Sequence, residues 1–193
     1  MLMKHFSHMV FHPKESLQDA DRQPARMIDI IFHVFFLSLI PTVCGYLATV
    51  HIGWDLGAGD LYLLTPDKAL VFSGAALLFY NLGVYLVGLG ICKMAKMFDV
   101  EPTQIHCIEL AAFTSVPLFA AGFLALYPVI SVILIGGLVA LSASIYLLYP
   151  GVPIFMHIPE EKGFIYSTCV VTIGMVALVA IMVLSVLIWS LVI

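Results

Sequence analysis

The 50 residues from Leu110 to Pro159, LAAFTSVPLFAAGFLALYPVISVILIGGLVALSASIYLLYPGVPIFMHIP, contain no Asp, Glu, Lys or Arg. As one helix this stretch would be about 75 Å long, which is too long for one crossing of a hydrocarbon core of about 30 Å and suits two. Tyr127-Pro128 marks the expected break, because proline resists helix continuation and tyrosine favours the membrane interface. The stretch therefore predicts two transmembrane helices.

The composition of the whole chain indicates that lipid is its main solvent. Of the 193 residues, 62% are apolar and only 10% are charged, whereas ordinary soluble domains carry about 25% charged residues. This excludes a soluble enzyme and a disordered protein. The net charge of −4 gives no basic surface for nucleic acid, so no nucleic-acid partner is expected.

Five apolar runs are each long enough to cross a membrane, and backbone amides in lipid must be paired, so each run is predicted to be a helix. They cover about residues 27–50, 69–92, 105–126, 129–149 and 165–190. The predicted fold class is all-α: a polytopic membrane helical bundle with five transmembrane helices in one domain, residues 27–193. Residues 1–26 form a separate N-terminal segment without a signal-peptide core, so the first apolar run is expected to stay in the mature protein.

The basic residues predict the orientation. With the N-terminus in the cytoplasm, the inner side collects seven of the eight basic residues, and the outer side keeps only Lys68. Such a bias predicts a cytoplasmic N-terminus and an outer C-terminus. The seven are Lys4, Lys14, Arg22, Arg26, Lys93, Lys96 and Lys162.

Two predicted helix entrances combine an acid with a histidine. Asp29 and His33 are four residues apart at the start of the first helix, and His106 and Glu109 are three residues apart at the start of the third. An acid in the first turns complements the positive end of the helix dipole, and interfacial water can reach it there. Alternatively, the four side chains form a polar pocket near the cytoplasmic side that relays protons or holds a cation or a headgroup, since ionisable groups within membranes mark function.

Two polar segments have a plain and a metal-binding interpretation. Residues 1–13 place His5, His8 and His12 on one face, which favours a short interfacial amphipathic helix over a three-histidine metal site. The outer loop between residues 51 and 68 carries Asp55 and Asp60 among glycines, which favours a glycine-rich turn over a fragment of a calcium loop. We expect no metal and no cofactor.

Small residues and prolines predict how the helices pack and bend. Gly136, Ala140 and Ser144 repeat every four residues, a spacing at which helices approach closely in lipid. Pro41 and Pro117 lie inside the first and third predicted helices, where each is expected to bend the helix and free a carbonyl.

The cysteines and the absence of catalytic motifs indicate neither a disulfide, nor a metal site, nor an enzyme. The chain has no C-x-x-C pair, and its four cysteines fall in or beside apolar runs: Cys44, Cys92, Cys107 and Cys169. Free buried thiols are therefore expected rather than a disulfide or a metal site. No His-Glu-x-x-His, Gly-x-Ser-x-Gly or Walker motif occurs. A membrane enzyme with His33 or His106 as general base is the weakest of the functional hypotheses, because no nucleophile is visible.

Several motifs along the chain resemble those of the YohC-like bacterial inner-membrane proteins of the Yip family, which is named after eukaryotic Rab/Ypt-interacting proteins. The resemblance covers nearly the whole chain with similar spacing. The motifs are Phe11-His12-Pro13, Ile40-Pro41, Cys44, His51-Ile52-Gly53-Trp54, His106-Cys107, Pro117-Leu118-Phe119, Ala125-Leu126-Tyr127-Pro128, Tyr146-Leu147-Leu148-Tyr149 and Gly151-Val152-Pro153.

The resemblance implies five membrane-spanning helices, a cytoplasmic N-terminus and no established reaction. Glu109 departs from the pattern, which has an apolar residue there, and this weakens the proton-relay hypothesis. The long cytosolic region of the eukaryotic members is missing before residue 27, so a Rab-type GTPase partner is not expected. The leading hypothesis is a non-enzymatic multi-pass inner-membrane protein that contacts membrane lipids, itself or other membrane proteins. The alternative is a transporter or lipid scramblase that uses the polar pocket.

Overall fold

The computed structural model describes residues 17–18, 21, 25–55, 61–127 and 129–192. Five helices in this part of the chain are long and apolar enough to cross a membrane. They are α1 (Met27–Leu47, continued by a π-helical segment, Ala48–Ile52), α2 (Pro66–Ala95, continued by a 3₁₀ turn, Lys96–Phe98), α3 (Gln104–Ala120, continued by a 3₁₀ segment, Ala121–Leu126), α4 (Ile130–Met156) and α5 (Glu160–Val192). The predicted all-α class and the five spanning helices are confirmed.

The helix ends differ from the predicted ones where proline is involved. α2 begins at Pro66, because proline suits the first turn, where an amide has no intrahelical partner. α4 continues through Pro150 and Pro153 to Met156, whereas the predicted fourth helix ended at residue 149. The added turns carry the buried residues Val152 and Phe155, whose packing offsets the backbone hydrogen bonds that the two prolines remove.

The two ends of the bundle have different connections. At one end, which we call the lysine end, α1, α3 and α5 begin and α2 and α4 end, and Lys93, Lys96 and Lys162 lie there. At the opposite end, the hairpin end, α1 and α2 are joined through two short antiparallel strands, β1 (Trp54–Asp55) and β2 (Leu61–Tyr62). At the end of α1, Gly53 has a φ of 85°, a conformation that glycine adopts without strain.

Four of the helices form a closed ring. α2 packs against α3, α3 against α4, α4 against α5, and α5 against α2, whereas α1 packs on the outside of α2 and α3. Glycines permit the closest approaches: Gly83 and Gly90 of α2 face Ile181 and Ile173 of α5, and Gly88 of α2 faces Ile108 of α3. The ring is densely packed at the lysine end, where most of the buried apolar core lies.

The cysteine prediction was wrong for two of the four residues. Cys92 near the end of α2 and Cys107 near the start of α3 form a disulfide, with their Cα atoms 5.7 Å apart, while Cys44 and Cys169 are free. The bond forms because antiparallel α2 and α3 approach closely at Gly88 and are joined by a short connection. A spacing of 15 residues across two apolar runs carries no disulfide signature in the sequence.

Candidate functional site

A half-open cavity of about 540 Å³ is lined by α2, α3 with the 3₁₀ segment that follows it, α4, α5 and Pro41 of α1. Its volume falls within the range of roughly 300–1,000 Å³ that is typical of ligand pockets in proteins. Along the ring it extends from Phe72 to Val87 in α2, and from Ile133 to Leu148 in α4. Each of these stretches covers about 22 Å of helix, so the cavity runs through most of a hydrocarbon core of about 30 Å.

The cavity walls are almost entirely apolar. Aromatic rings line the α2 side and aliphatic side chains line the α5 side, and no Asp, Glu, Lys, Arg, His or Cys is among the lining residues that the structure describes. Two glycines, Gly137 of α4 and Gly174 of α5, form part of the wall, and a Cβ atom on either would meet nothing within 4 Å. The cavity is therefore widened by missing side chains rather than by irregular backbone.

The polar side chains that line the cavity lie mainly at mid-depth. Tyr80, Ser115 and Ser144 each occupy the middle of their helix, and Thr114 is next to Ser115. Thr114 donates a hydrogen bond to the carbonyl of Leu110 (3.0 Å), and Ser115 donates to a backbone carbonyl in its own helix. These two hydroxyls are therefore satisfied without any ligand.

Ser144 differs from the other serines of the cavity. Its side chain is buried, with 7% of the residue exposed, and its Oγ has no hydrogen-bond partner. Ser142, two residues away on the exposed face of α4, donates to the carbonyl of Leu138 at 2.8 Å. Serine hydroxyls in helices often bond to their own backbone, whereas the Ser144 hydroxyl, near the middle of α4, makes no hydrogen bond among the described residues.

A polar contact between α1 and α2 lies at the same depth outside the cavity. The Asn81 amide donates to the Ser38 Oγ at 2.9 Å and to the carbonyl of Leu77 at 2.8 Å, and Ser38 donates to the carbonyl of Phe35. Hydrogen bonds of this kind between helices in membranes contribute about 0.6 kcal/mol on average. This contact holds α1 to the ring, and neither Ser38 nor Asn81 lines the cavity.

The structure places all four residues of the predicted polar pocket near the lysine end. Asp29 is exposed, His33 is half-buried, and the His106 ring packs edge-on against Phe155 with ring centres 6.3 Å apart. Only Glu109 is buried, with 4% of the residue exposed. None of the four lines the cavity, and among the residues described no hydrogen bond or ion pair joins any two of them.

Glu109 has different neighbours from the predicted ones. The backbone of Ala25 donates a hydrogen bond to its carboxyl group, the carboxyl of Asp21 lies close by, and its Oε2 has no partner. His157 Nε2 is 3.2 Å from Asp21 Oδ2. The segment before α1 thus covers Glu109 at the lysine end, and the fully buried Leu17 inserts into the core beside Gly151.

The residues predicted to pack or bend the helices lie in α1, α3 and α4. Gly136 lies against Leu124 of the 3₁₀ segment after α3, Ala140 is buried, and Ser144 lines the cavity. Pro41 and Pro117 lie inside α1 and α3, which continue through them. Pro41 also contacts Gly122, whose missing side chain lets α1 approach the end of α3.

The two segments with metal-binding interpretations fall largely outside the described residues. His5, His8 and His12 lie outside them, as do Asp60 and the glycines at 57 and 59, and the side chain of Asp55 is also not described. Within the described ranges no group of three or more His, Cys, Asp or Glu is arranged to hold a metal ion.

The cavity and the cysteine pair were missed by the sequence analysis. The signal that could have indicated a cavity is the set of small residues that different helices carry at equal depth, such as Gly137 and Gly174. Small residues in membrane helices also mark close contacts, and the sequence alone does not distinguish the two uses.

Comparison with known proteins agrees with this architecture. Residues 7–181 match the family model of the Yip1 domain. The chain belongs to the Yip1 family. This Yip1-family protein is 33% identical over 192 residues to inner membrane protein YohC of Escherichia coli strain K12 and to the YohC protein of the O6:H1 strain CFT073, with 97% of each chain covered. No solved structure shows a significant match.

The comparisons confirm the resemblance predicted from the motifs. Together with the five apolar helices, they identify a multi-pass protein of the inner membrane. The names of these relatives state a location and no reaction.

Proposed function

We propose that this Yip1-family protein is a non-enzymatic, lipid-binding protein of the inner membrane whose N-terminus is cytoplasmic, and that its cavity takes up the hydrocarbon chain of a membrane lipid. The observation that carries the proposal is a cavity of about 540 Å³ between the membrane-spanning helices, with no charged side chain among the described residues that line it. Among the described residues of the walls there is no His, Asp, Glu, Lys or Cys to act as a general acid or base, which supports a binding role over a catalytic one.

The energetics favour an occupied cavity. Apolar space that stays empty in a protein is unfavourable, because the atoms that line it lose contacts. Water is a poor occupant, because each buried water needs two to four polar partners and the walls offer few. Hydrocarbon from the surrounding bilayer matches the walls and is always present.

The alternative of a transporter or scramblase receives less support. Moving an ion or a headgroup through the bilayer requires polar or charged groups along the path. Asp29, His33, His106 and Glu109 all lie at the lysine end outside the cavity. Contacts with a second copy or with other membrane proteins remain compatible with lipid binding, since the outer faces of the helices are apolar and exposed.

The proposal is tested by filling the cavity. Gly174→Leu places a side chain in the cavity without a backbone clash, because a Cβ at Gly174 meets nothing within 4 Å. Gly74→Leu is the matched control: it has equal space around its Cβ but lies on the exposed face of α2 and does not line the cavity. Each variant and the wild type are purified in mild detergent, and the retained lipid is counted by native mass spectrometry.

We expect the wild type and Gly74→Leu to retain one lipid more than Gly174→Leu. Filling the cavity should also reduce the stabilisation that added lipid gives to the detergent-solubilised protein. Equal lipid retention by all three proteins would contradict the proposal.

A further inference from the structure

We propose that the preferred ligand of the cavity is a long-chain quinone, a lipid whose hydrogen-bond-accepting carbonyl groups sit on a flat ring at the middle of the membrane. This inference rests on the proposed lipid-binding function and narrows the class of lipid. Three observations carry this inference: the depth of the few polar side chains that line the cavity, the hydroxyl of Ser144 that has no hydrogen-bond partner, and the aromatic residues of the cavity.

The depth of the polar side chains separates quinones from phospholipids. Ser144 is near the middle of α4, as Tyr80 is of α2 and Ser115 of α3. A hydrocarbon core of about 30 Å places the ester oxygens of a phospholipid about 15 Å from this level. An acyl chain therefore brings only CH₂ groups to the level of these polar side chains. A quinone is uncharged and its tail is apolar, so its ring can reach this level.

The state of the hydroxyls indicates an acceptor on the ligand. Thr114, Ser115 and Ser185 line the cavity and donate to carbonyls of their own helices. The Ser144 hydroxyl does not make such a bond and is buried. A buried donor without an acceptor is unfavourable, and the carbonyl of a ligand that reached the Ser144 hydroxyl would supply the missing acceptor. The Tyr80 hydroxyl likewise has no hydrogen-bond partner among the described residues and is a second available donor.

The aromatic residues of the cavity provide a surface for a flat ring. Tyr80 and Phe119 pack edge-on with ring centres 5.9 Å apart, and Phe72 and Phe79 belong to the same wall. Offset and edge-on contacts with aromatic rings are favourable for planar groups. The remaining length of the cavity is apolar and accommodates the tail. Binding alone is proposed, with no electron transfer.

The test compares two probes that share a tail and differ in their carbonyl groups. Radiolabelled decyl-benzoquinone is titrated onto the purified full-length protein in detergent, and unlabelled decylbenzene serves as the competitor without hydrogen-bond acceptors. The variants are Ser144→Ala and the control Ser142→Ala, which removes an exposed hydroxyl that already has a backbone partner on the same helix. Gly174→Leu narrows the cavity and shows how much of the binding depends on it.

We expect the wild type to bind the quinone about three- to tenfold more tightly than decylbenzene, as one hydrogen bond would give. Ser144→Ala should lose this preference, and Ser142→Ala should keep it. If both probes bind equally and Ser144→Ala matches Ser142→Ala, the quinone inference is overturned and hydrocarbon binding stands. If neither probe binds above the level of Gly174→Leu, the quinone inference and the proposed function both fail. Should Ser144→Ala not fold, the preference of the wild type between the two probes still decides.

Discussion

Gly122 is the residue at which the approach of two helices depends most directly on a missing side chain. A Cβ atom built on Gly122 would lie 2.5 Å from the Cα atom of Pro41. The clash would be with backbone, which cannot rotate away as a long side chain can. The motif that contains Pro41 therefore contributes to packing as well as to the course of α1.

We predict that Gly122→Ala destabilises the protein by about 1–3 kcal/mol, the usual cost of overpacking. The measurement is the loss of helical circular dichroism in a detergent-denaturation series. Gly45→Ala is the control, because a Cβ there meets nothing within 4 Å. Equal stability of Gly122→Ala and Gly45→Ala would show that α1 does not contact the end of α3 as described.

Tyr166 is a residue whose polar atom joins two helices in the densest part of the core. It is fully buried, and its hydroxyl donates to the carbonyl of Ile91 at 2.5 Å, linking α5 to α2. The Phe98 ring packs beside it, with ring centres 4.9 Å apart. This bond closes the ring of helices at the lysine end.

We predict that Tyr166→Phe lowers the free energy of unfolding by about 0.6–1.5 kcal/mol, the range for one net hydrogen bond. Tyr149→Phe is the control, because the Tyr149 hydroxyl makes an exposed contact of 3.3 Å with Thr168, between α4 and α5. The control should change stability by less than about 0.5 kcal/mol. A control that is as destabilised as Tyr166→Phe would contradict the role of the buried bond.

Among the helices, α2 and α3 form the most constrained pair. Gly88 lets Ile108 approach closely, and one turn further along the Cys92–Cys107 bond joins the two helices. Together they hold the lysine end of the ring closed, whereas the cavity opens further along the same helices, from Val87 to Phe72. The pair thus combines a rigid end with a wider middle.

We predict that protein purified without a reducing agent has two reactive thiols after denaturation, those of Cys44 and Cys169. Treatment with a reducing agent before labelling should raise the number to four. The count is read from the mass added by a maleimide reagent. Four labelled cysteines without prior reduction would show that Cys92 and Cys107 are unbonded in the purified protein. The double variant Cys92→Ser, Cys107→Ser serves as the reference for a count of two labelled thiols.

At the scale of the whole molecule, five crossings place the two ends of the bundle on opposite sides of the membrane. The lysine end carries Arg26, Lys93, Lys96 and Lys162, and Lys68 lies at the hairpin end. Cytoplasmic segments carry the excess of basic residues in membrane proteins. The proposed orientation therefore follows from the distribution of charge around the confirmed helices.

We predict that a green fluorescent protein fused to the N-terminus fluoresces, and that alkaline phosphatase fused after Ile193 is active, because the first requires the cytoplasm and the second requires export. The exchanged fusions serve as the control and should both be inactive. Fusions that report the same compartment for both ends would contradict five crossings. Two inverted results would place the lysine end outside.

The sequence by itself determined the number of crossings, the helical class and the family. Lipid leaves backbone amides no other partner than their own helix, so the uncharged run Leu110–Pro159 was sufficient to predict two of the five helices. These properties depend on local stretches of the sequence and on the lipid that surrounds them. None of them requires knowledge of which helices are neighbours.

Only the tertiary structure decided what the polar and small residues do. Glu109 meets Asp21 and Ala25 rather than Asp29 and His33, Cys92 pairs with Cys107, and Ser144 lines a cavity. Each of these outcomes depends on how far every helix is rotated about its axis and shifted along its neighbour. Apolar side chains cover all sides of these helices, so the sequence carries no strong signal for that rotation, and it is fixed by packing between helices that are distant along the chain.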